Sequence, residues 1–199
     1  QAGNVRVAGL SYGQLAGHLQ AQLGRVYRNF ELNVNMGQLR SIQVFVVGSA
    51  RRPGTYTVSS LSTLVSVLFA SGGPGNQGSM RRIQLMRGAA VVTEFDVYDL
   101  LLKGDKTRDA RLLPGDVIHI PGVGPQAAVA GSVRNPAVYE LKGETSVAAL
   151  LDLTGGLTAL ADGRRASLER IRDRAARETA EIALDAPGLA DPVRDGDLL

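Results

Sequence analysis

The sequence predicts an α+β protein built from two tandem copies of one small domain. Three features support this prediction because each occurs twice, in the same order: a turn of the pattern Gly-Ser-x-Arg-x-Pro, a Gly-Gly pair and a Gly-Asp pair. Repetition of this kind marks a duplicated structural unit. The three features begin, in the first and the second copy respectively, at Gly48 and Gly131, at Gly72 and Gly155, and at Gly115 and Gly196.

Length and composition fit two modest globular domains. The chain has 199 residues, of which 44% are hydrophobic and 21% charged, and it contains no cysteine. The absence of cysteine excludes disulfides and thiolate metal sites from this stretch. No apolar run approaches the ~18 residues that a membrane span requires. Since the sequence has no initiator Met, no signal peptide and no lipid-bearing Cys, we expect Gln1 to be a boundary within a longer protein.

Charge is distributed unevenly along the chain. Residues 1–93 carry nine arginines and one acidic residue, whereas residues 124–199 carry nine basic and twelve acidic residues. A basic front half is suited to an acidic polymer. The alternative is a solvated basic surface without a ligand, and the pattern alone favours neither.

Residues 1–39 are expected to be the end of a preceding domain. Ser11 and Gln14 have the spacing of a capping box, and apolar residues at helical spacing predict a helix from Tyr12 to Leu23. Alternating residues from Glu31 to Met36 predict a strand.

Each repeat is expected to begin with a buried strand, a turn and a second strand. In the first repeat these are Ile42–Val47, the turn ending at Gly54, and a strand from Tyr56. A Pro-Gly pair is typical of a type II turn, but Ala137 replaces Gly54 in the second repeat, so we expect a turn that alanine also tolerates. A helix capped by Ser62, or by Thr145 in the second repeat, should follow and end at the Gly-Gly pair. Its predicted inner faces are Leu64, Val67 and Leu68, and Val147, Leu150 and Leu151.

The remainder of each repeat predicts a hairpin, a short helical turn and a closing strand. In the first repeat the hairpin surrounds Gly88 and the closing strand is Val117–Ile120. In the second repeat, residues 166–182 have the local pattern of an amphipathic helix, but the repeat predicts a hairpin, which we prefer because tertiary context overrides local propensity. The closing strand after Asp197 is expected to be truncated. This order of elements predicts the ubiquitin-like β-grasp fold, in which a curled sheet wraps one helix.

Residues suited to catalysis or metal binding are scarce. His18 and His119 have no partner at metal-ligand spacing, and we expect structural roles for both. No pair of carboxylates is placed for glycoside hydrolysis, and the loop after Gly72 lacks the Lys-Ser/Thr ending of a phosphate-binding loop. The sequence therefore predicts no catalytic residue, no metal site and no cofactor.

The repeated pattern resembles the soluble-ligand-binding β-grasp (SLBB) domain. Two such domains after a helix and the segment Phe30–Val34 resemble the bacterial outer-membrane polysaccharide export (OPX) family. Ser49 and Ser132 depart from the family, in which an acidic residue is frequent at that position. The resemblance implies three parts: residues 1–39 as the C-terminal part of the polysaccharide-export domain, 40–123 as the first SLBB domain and 124–199 as the second.

The resemblance also implies a function. The chain would be the periplasmic part of a capsule or exopolysaccharide export protein that is not an enzyme, associates with the outer membrane, forms homo-oligomeric rings and meets an inner-membrane polysaccharide co-polymerase. Arg51, Arg52 and Arg134 are the residues we expect to contact polysaccharide or a neighbouring subunit, although solvated turn residues are the simpler reading. The alternative function is a small-molecule or glycan-binding receptor, which needs a concave apolar pocket. A nucleic-acid module is disfavoured because no base-reading motif is present.

Overall fold

The computed structural model describes residues 4–35, 37, 40–173 and 175–199. The chain divides into two compact units, residues 1–40 and 41–199, and each is described by itself. Across the described residues, no helix combines the length and the apolar character needed to cross a bilayer.

The first unit contains the predicted helix. Helix α1 spans Tyr12–Leu23, and the backbone N–H of Ser11 donates to Oε1 of Gln14 at 3.1 Å, as a capping box requires. The predicted strand is wrong for residues 31–35, which form none, and Met36 lies outside the described residues. A strand needs a neighbour to satisfy its backbone groups, and the described part of this unit offers none.

The first repeat has five strands and two helices in the predicted order. They form one sheet of strand order β2-β1-β5-β3-β4. In this sheet β1 and β5 are parallel and the other pairs antiparallel, which is the predicted β-grasp arrangement. The elements are β1 (Ser41–Gly48), β2 (Gly54–Ser59), α2 (Leu64–Ala70), β3 (Ile83–Arg87), β4 (Ala90–Phe95), α3 (Val97–Lys103) and β5 (Val117–Ile120).

One face of this sheet packs on α2 to form the first core. Side chains alternate along β1, so that Ile42, Val44 and Val46 are buried while the intervening residues face outward. The predicted inner face of α2 is confirmed, because its three residues are each at most 1% exposed and belong to the same core.

The second repeat has the same plan. The strands β6 and β7 pair with each other, as do β8 and β9. Leu198 joins the two pairs, because it bridges Ala128 of β6 in parallel and Glu169 of β8 in antiparallel orientation. The closing strand thus begins at the predicted place, and its truncation stays a prediction. The elements are β6 (Gln126–Val129), β7 (Ala137–Glu140), α4 (Val147–Leu153), β8 (Arg165–Arg172), β9 (Ala176–Ala183) and α5 (Ala186–Leu189).

The hairpin prediction for the second repeat is confirmed. β8 and β9 pair without interruption from Arg165 opposite Ala183 to Arg172 opposite Ala176. Leu168 and Ile182 are each 5% exposed and belong to the second core. Burial against α4 therefore decides the structure of a segment whose local pattern favours a helix.

The predicted helix caps are wrong by one residue in both repeats. The caps are Thr63 and Ser146, whose side chains accept from backbone N–H groups within the first turn. Ser62 and Thr145 lie just outside the helices, where their carbonyls accept from the backbone N–H groups of Leu112 and Val193. These tertiary hydrogen bonds hold Ser62 and Thr145 outside the helices. The inner face of α4 is buried as predicted.

The helix stops behave as the repeat predicts, but the turns differ. Gly54 and Ala137 are each the first residue of a strand. Gly54 has φ of +153°, whereas Ala137 has no positive φ, so the expectation of one turn conformation for both residue types is wrong at this position. Gly72 and Gly155 follow the helix ends with φ of +81° and +79°, the left-handed conformation that ends helices.

Candidate functional site

Arg52 caps the end of helix α2. Its guanidinium donates from Nη2 to the carbonyl oxygen of Ala70 at 2.7 Å and from Nε to that of Ser71 at 3.3 Å. The last carbonyls of a helix lack partners within the helix and carry partial negative charge. Arg52 therefore supplies both hydrogen bonds and a complementary charge there.

Asn135 occupies the equivalent position in the second repeat. Its side-chain amide donates to the carbonyl of Thr154 at 3.0 Å, so an amide and a guanidinium serve the same purpose. The carbonyls of Arg52 and Asn135 each accept from a tyrosine hydroxyl, that of Tyr56 at 2.7 Å and that of Tyr139 at 2.5 Å. The repeated tyrosine thus fixes the turn against the strand that follows it.

Arg51 and Arg134 occupy equivalent positions in the two turns. Their backbone N–H groups donate to the carbonyls of Gly73 and Gly156 at 2.9 and 3.0 Å, which ties each turn to its Gly-Gly pair. Both side chains are exposed, and neither takes part in an ion pair with the described acidic residues. The structure therefore brings Arg51 and Arg52 together at one turn and places Arg134 at the equivalent turn of the second repeat.

A buried polar joint connects the two repeats, and sequence reasoning missed it. At its centre the Glu140 carboxylate, in a residue only 3% exposed, accepts three hydrogen bonds of 2.7–2.9 Å. The donors are the hydroxyl of Ser79 and the backbone N–H groups of Met80 and Gly124. Glu140 belongs to β7, whereas Ser79 and Met80 precede β3 of the first repeat. The joint thus ties the second sheet to the first.

Arg81 forms the second part of this joint. It contacts Asp96 at 3.1 Å within its own repeat and Glu144 at 2.7 Å in the other. Its guanidinium carbon lies 4.8 Å from the centre of the Tyr98 ring, within range of a cation–π interaction. Burial acts to raise the pKa of Glu144, but the hydrogen bond and charge of Arg81 outweigh it and hold that pKa below its ordinary value.

Lys142 completes the joint from the second repeat. Its ammonium group lies 2.8 Å from Glu94 and donates to the carbonyl of Arg81 at 2.7 Å. One feature of the sequence indicates this site. Glu140 lies at the end of a strand, at the position where the first repeat has Thr57, 83 residues earlier. This departure from the repeat was the available signal.

A cleft with a volume of about 400 Å³ lies within the second repeat. Leu198 is equivalent to Val117 of the first repeat. Leu198 is the parallel partner of Ala128 in β6, and Val117 is the parallel partner of Phe45, the equivalent residue in β1. The lining of the cleft includes Val129, Ala130, Leu157, Leu184, Leu198 and Leu199.

The polar groups of the joint and the turns are engaged mainly in hydrogen bonds and ion pairs. Among residues 4–35, 37, 40–173 and 175–199, no group of three or more metal-ligating side chains is placed to hold a metal ion. His119 faces Gln84 across the sheet, with Nδ1 3.5 Å from Oε1. The buried carboxylates of the joint are occupied by hydrogen bonds and ion pairs. At the turns, Arg51 and Arg134 form no ion pair with the described acidic residues.

Comparison with known proteins agrees with the duplicated fold. The SLBB domain model matches residues 43–96 and 126–179, together more than half of the chain. A polysialic acid transport protein, KpsD of Escherichia coli, is 32% identical over 150 residues, which are 73% of this chain and 26% of that protein. The EPS I polysaccharide export outer membrane protein EpsA of Ralstonia nicotianae is 26% identical over 189 residues, 93% of this chain and 49% of that protein.

The chain thus spans between about a quarter and about half of the length of these relatives. Their names describe transport and export rather than catalysis. The chain belongs to the SLBB domain family and is a relative of bacterial outer-membrane polysaccharide export proteins.

Proposed function

We propose that this chain is the periplasmic, non-enzymatic part of an outer-membrane polysaccharide export protein. The observation that carries the proposal is the buried joint between the tandem SLBB domains. Glu140, Arg81 and Lys142 join the two sheets through hydrogen bonds and ion pairs of 2.7–3.1 Å. Domains held in this way suit a rigid wall better than two independently moving binding modules.

The proposed domain organisation follows from the repeat. Residues 1–39 are the C-terminal part of the export domain, residues 40–123 the first SLBB domain and residues 124–199 the second. In the parent protein these domains form the wall of a homo-oligomeric ring associated with the outer membrane, and an inner-membrane polysaccharide co-polymerase is its partner. The relationship to KpsD and EpsA supports this assignment.

Arg51 and Arg134 are proposed to contact the polysaccharide or a neighbouring subunit. Each is exposed at the same turn of its domain, and each turn is fixed by hydrogen bonds to a Gly-Gly pair. A long hydrated polymer needs a wide polar passage, and fixed positive charges along it attract an acidic chain without trapping it. Arg52 shares this exposure, but its hydrogen bonds to α2 give it a structural role as well.

The test is polysaccharide export by the parent protein in cells that lack the native gene. We expect Arg51→Ala combined with Arg134→Ala to reduce surface polysaccharide while the protein level stays unchanged. Arg172→Ala is the matched control, because Arg172 is an exposed arginine in a surface ion pair with Glu178. Full export by the double variant would remove the arginines from the proposal. Full export by cells without any parent protein would overturn the proposed function itself.

A further inference from the structure

The outer face of the first SLBB sheet carries a row of apolar side chains. Phe45 pairs with Val117, Val117 with Met86, and Met86 with Val91, so the row crosses β1, β5, β3 and β4 in register. It lies on the face opposite the core, since Val44 and Val46 on either side of Phe45 are fully buried. Phe45 is 38% and Val91 51% exposed. We call these four residues the apolar row.

The second SLBB domain shows that the fold does not require this row. The registers of its strands place Ala128, Leu198, Glu169 and Thr179 at the equivalent positions. Three of the four are thus small or polar, and Glu169 forms an ion pair with Arg177 at 3.2 Å. The same sheet is built with a solvated outer face in one domain and an apolar outer face in the other. Exposed apolar patches on a stable scaffold mark interaction surfaces.

The neighbouring sheet edges differ in the same way. β9 forms an edge of the second domain, and its Glu178 and Glu181 pair with Arg172 and Arg165. Charged side chains on an edge strand prevent association with other sheets. The edge strand β4 instead begins with Ala90, Val91 and Val92, all exposed and uncharged. The apolar row therefore continues onto the uncharged first half of an edge strand.

Charge points to the occupant of this surface. Residues 41–123 carry nine basic and six acidic residues, a net charge of +3, whereas residues 124–199 carry nine basic and twelve acidic residues, a net charge of −3. The first domain of one copy is therefore complementary to the second domain of another. Contacts between different faces of identical chains are head-to-tail, and they close into rings when the rotation permits.

We propose that the apolar row is a subunit interface against which the second SLBB domain of a neighbouring copy docks. This inference rests on the proposed ring-forming function and names the surface that builds the ring. The apolar row supplies the desolvated centre of the contact, and the opposite net charges of the two domains set its direction.

The first test transplants the second domain's residues onto the row. Phe45→Ala, Met86→Glu and Val91→Thr reproduce Ala128, Glu169 and Thr179. The matched control makes the same three kinds of change at exposed apolar residues elsewhere in the first domain: Phe69→Ala, Leu101→Glu and Leu113→Thr. In sedimentation equilibrium of the 199-residue chain, we expect concentration-dependent association that the transplant weakens at least about tenfold and the control leaves unchanged. Circular dichroism checks that both variants stay folded.

The second test locates the partner surface. The chain has no cysteine, so Thr55→Cys, next to Phe45 on β2, carries a single spin label. This copy is mixed with an isotopically labelled wild-type copy. We expect paramagnetic broadening of resonances from residues 124–199 of the labelled copy. Broadening confined to the apolar row of the isotopically labelled copy would indicate a face-to-face dimer. That result would overturn the head-to-tail interface.

Two further results would also reject the interface. One is equal association by the transplant and the wild-type chain. The other is the absence of any association up to about 1 mM, the concentration range of weak protein contacts. Either result leaves the export assay with Arg51 and Arg134 to judge the proposed function separately.

Discussion

Arg87 holds Asp116 by two parallel hydrogen bonds of 2.8 Å, one from Nε and one from Nη2. Asp116 is 1% exposed and also accepts from the backbone N–H of Leu113. The second domain repeats the arrangement: Arg170 donates to Asp197 at 2.8 and 2.6 Å. In each domain the pair fixes the turn before the closing strand to the third strand. The aspartate of the repeated Gly-Asp sequence is therefore the acidic partner of an ion pair in each domain.

Removing the charge of this aspartate should destabilise the first domain. Asp116→Asn keeps the size of the side chain, but its amide N–H₂ group is a donor where the carboxylate oxygen is an acceptor. One of the N–H donors of Arg87 or Leu113 therefore loses its acceptor. We expect a loss of about 2–4 kcal/mol in the free energy of unfolding, measured by urea titration. Asp152→Asn, an exposed position on α4, is the control and should change stability by less than about 0.5 kcal/mol. Equal effects would show that the ion pair contributes nothing specific.

Stability should fall in acid because the folded chain lowers carboxyl pKa values. Burial acts to raise the pKa of Asp116, but the hydrogen bonds from Arg87 and Leu113 outweigh it and hold the pKa below its ordinary 3.8. The pKa of Glu144 is likewise held below its ordinary 4.5. The unfolded chain therefore binds these protons more readily, so their contribution is present at neutral pH and is lost as the pH falls.

We expect the unfolding free energy to decline as the pH falls below about 4.5 and to continue declining below 3.8, the ordinary values of the two groups. Urea titrations across this range measure the slope. Asp116→Asn combined with Glu144→Gln should be less stable at neutral pH and show a shallower slope in acid. An unchanged slope would place the acid sensitivity in other carboxylates.

Weakening the joint should uncouple the two SLBB domains. The Glu140 carboxylate accepts hydrogen bonds from two N–H groups and one hydroxyl. Glu140→Gln places an amide N–H₂ group, itself a donor, against these donors. We expect the first and second domains to unfold in separate calorimetric transitions, with a total loss of about 2–4 kcal/mol. Glu181→Gln, in an exposed ion pair with Arg165, serves as the control and should leave the calorimetric profile unchanged. A single transition in the Glu140 variant would contradict the role assigned to this joint.

The left-handed glycine at the end of α4 should resist substitution. Gly155 has φ of +79°, and an added Cβ would lie 3.6 Å from Cδ of Arg134, which is ordinary contact. The expected cost of Gly155→Ala is therefore about 1–2 kcal/mol and comes from the backbone conformation alone. Gly163 has open space around it and no positive φ, so Gly163→Ala should be neutral or slightly stabilising. Thermal unfolding of both variants compares them directly.

The sequence alone determined the duplication, the α+β class, the order of strands and helices in both repeats, and the inner faces of α2 and α4. It could do so because alternation along strands, helical spacing and glycine at helix ends are local consequences of backbone geometry. The hairpin β8–β9 followed from the repeat rather than from its own pattern. The same local reasoning failed at residues 31–35, where a strand pattern has no partner strand.

Only the tertiary structure decided which charged residues are held and which are free. The guanidinium of Arg81 is enclosed by acidic groups from both domains. The side chain of Arg51, in contrast, remains exposed at its turn. Likewise, Glu140 became the centre of the joint because residues 60 and 61 positions earlier in the chain fold against it. A charge acquires its role from neighbours that are distant in sequence, since electrostatic and hydrogen-bond energies depend on separation in space and on burial.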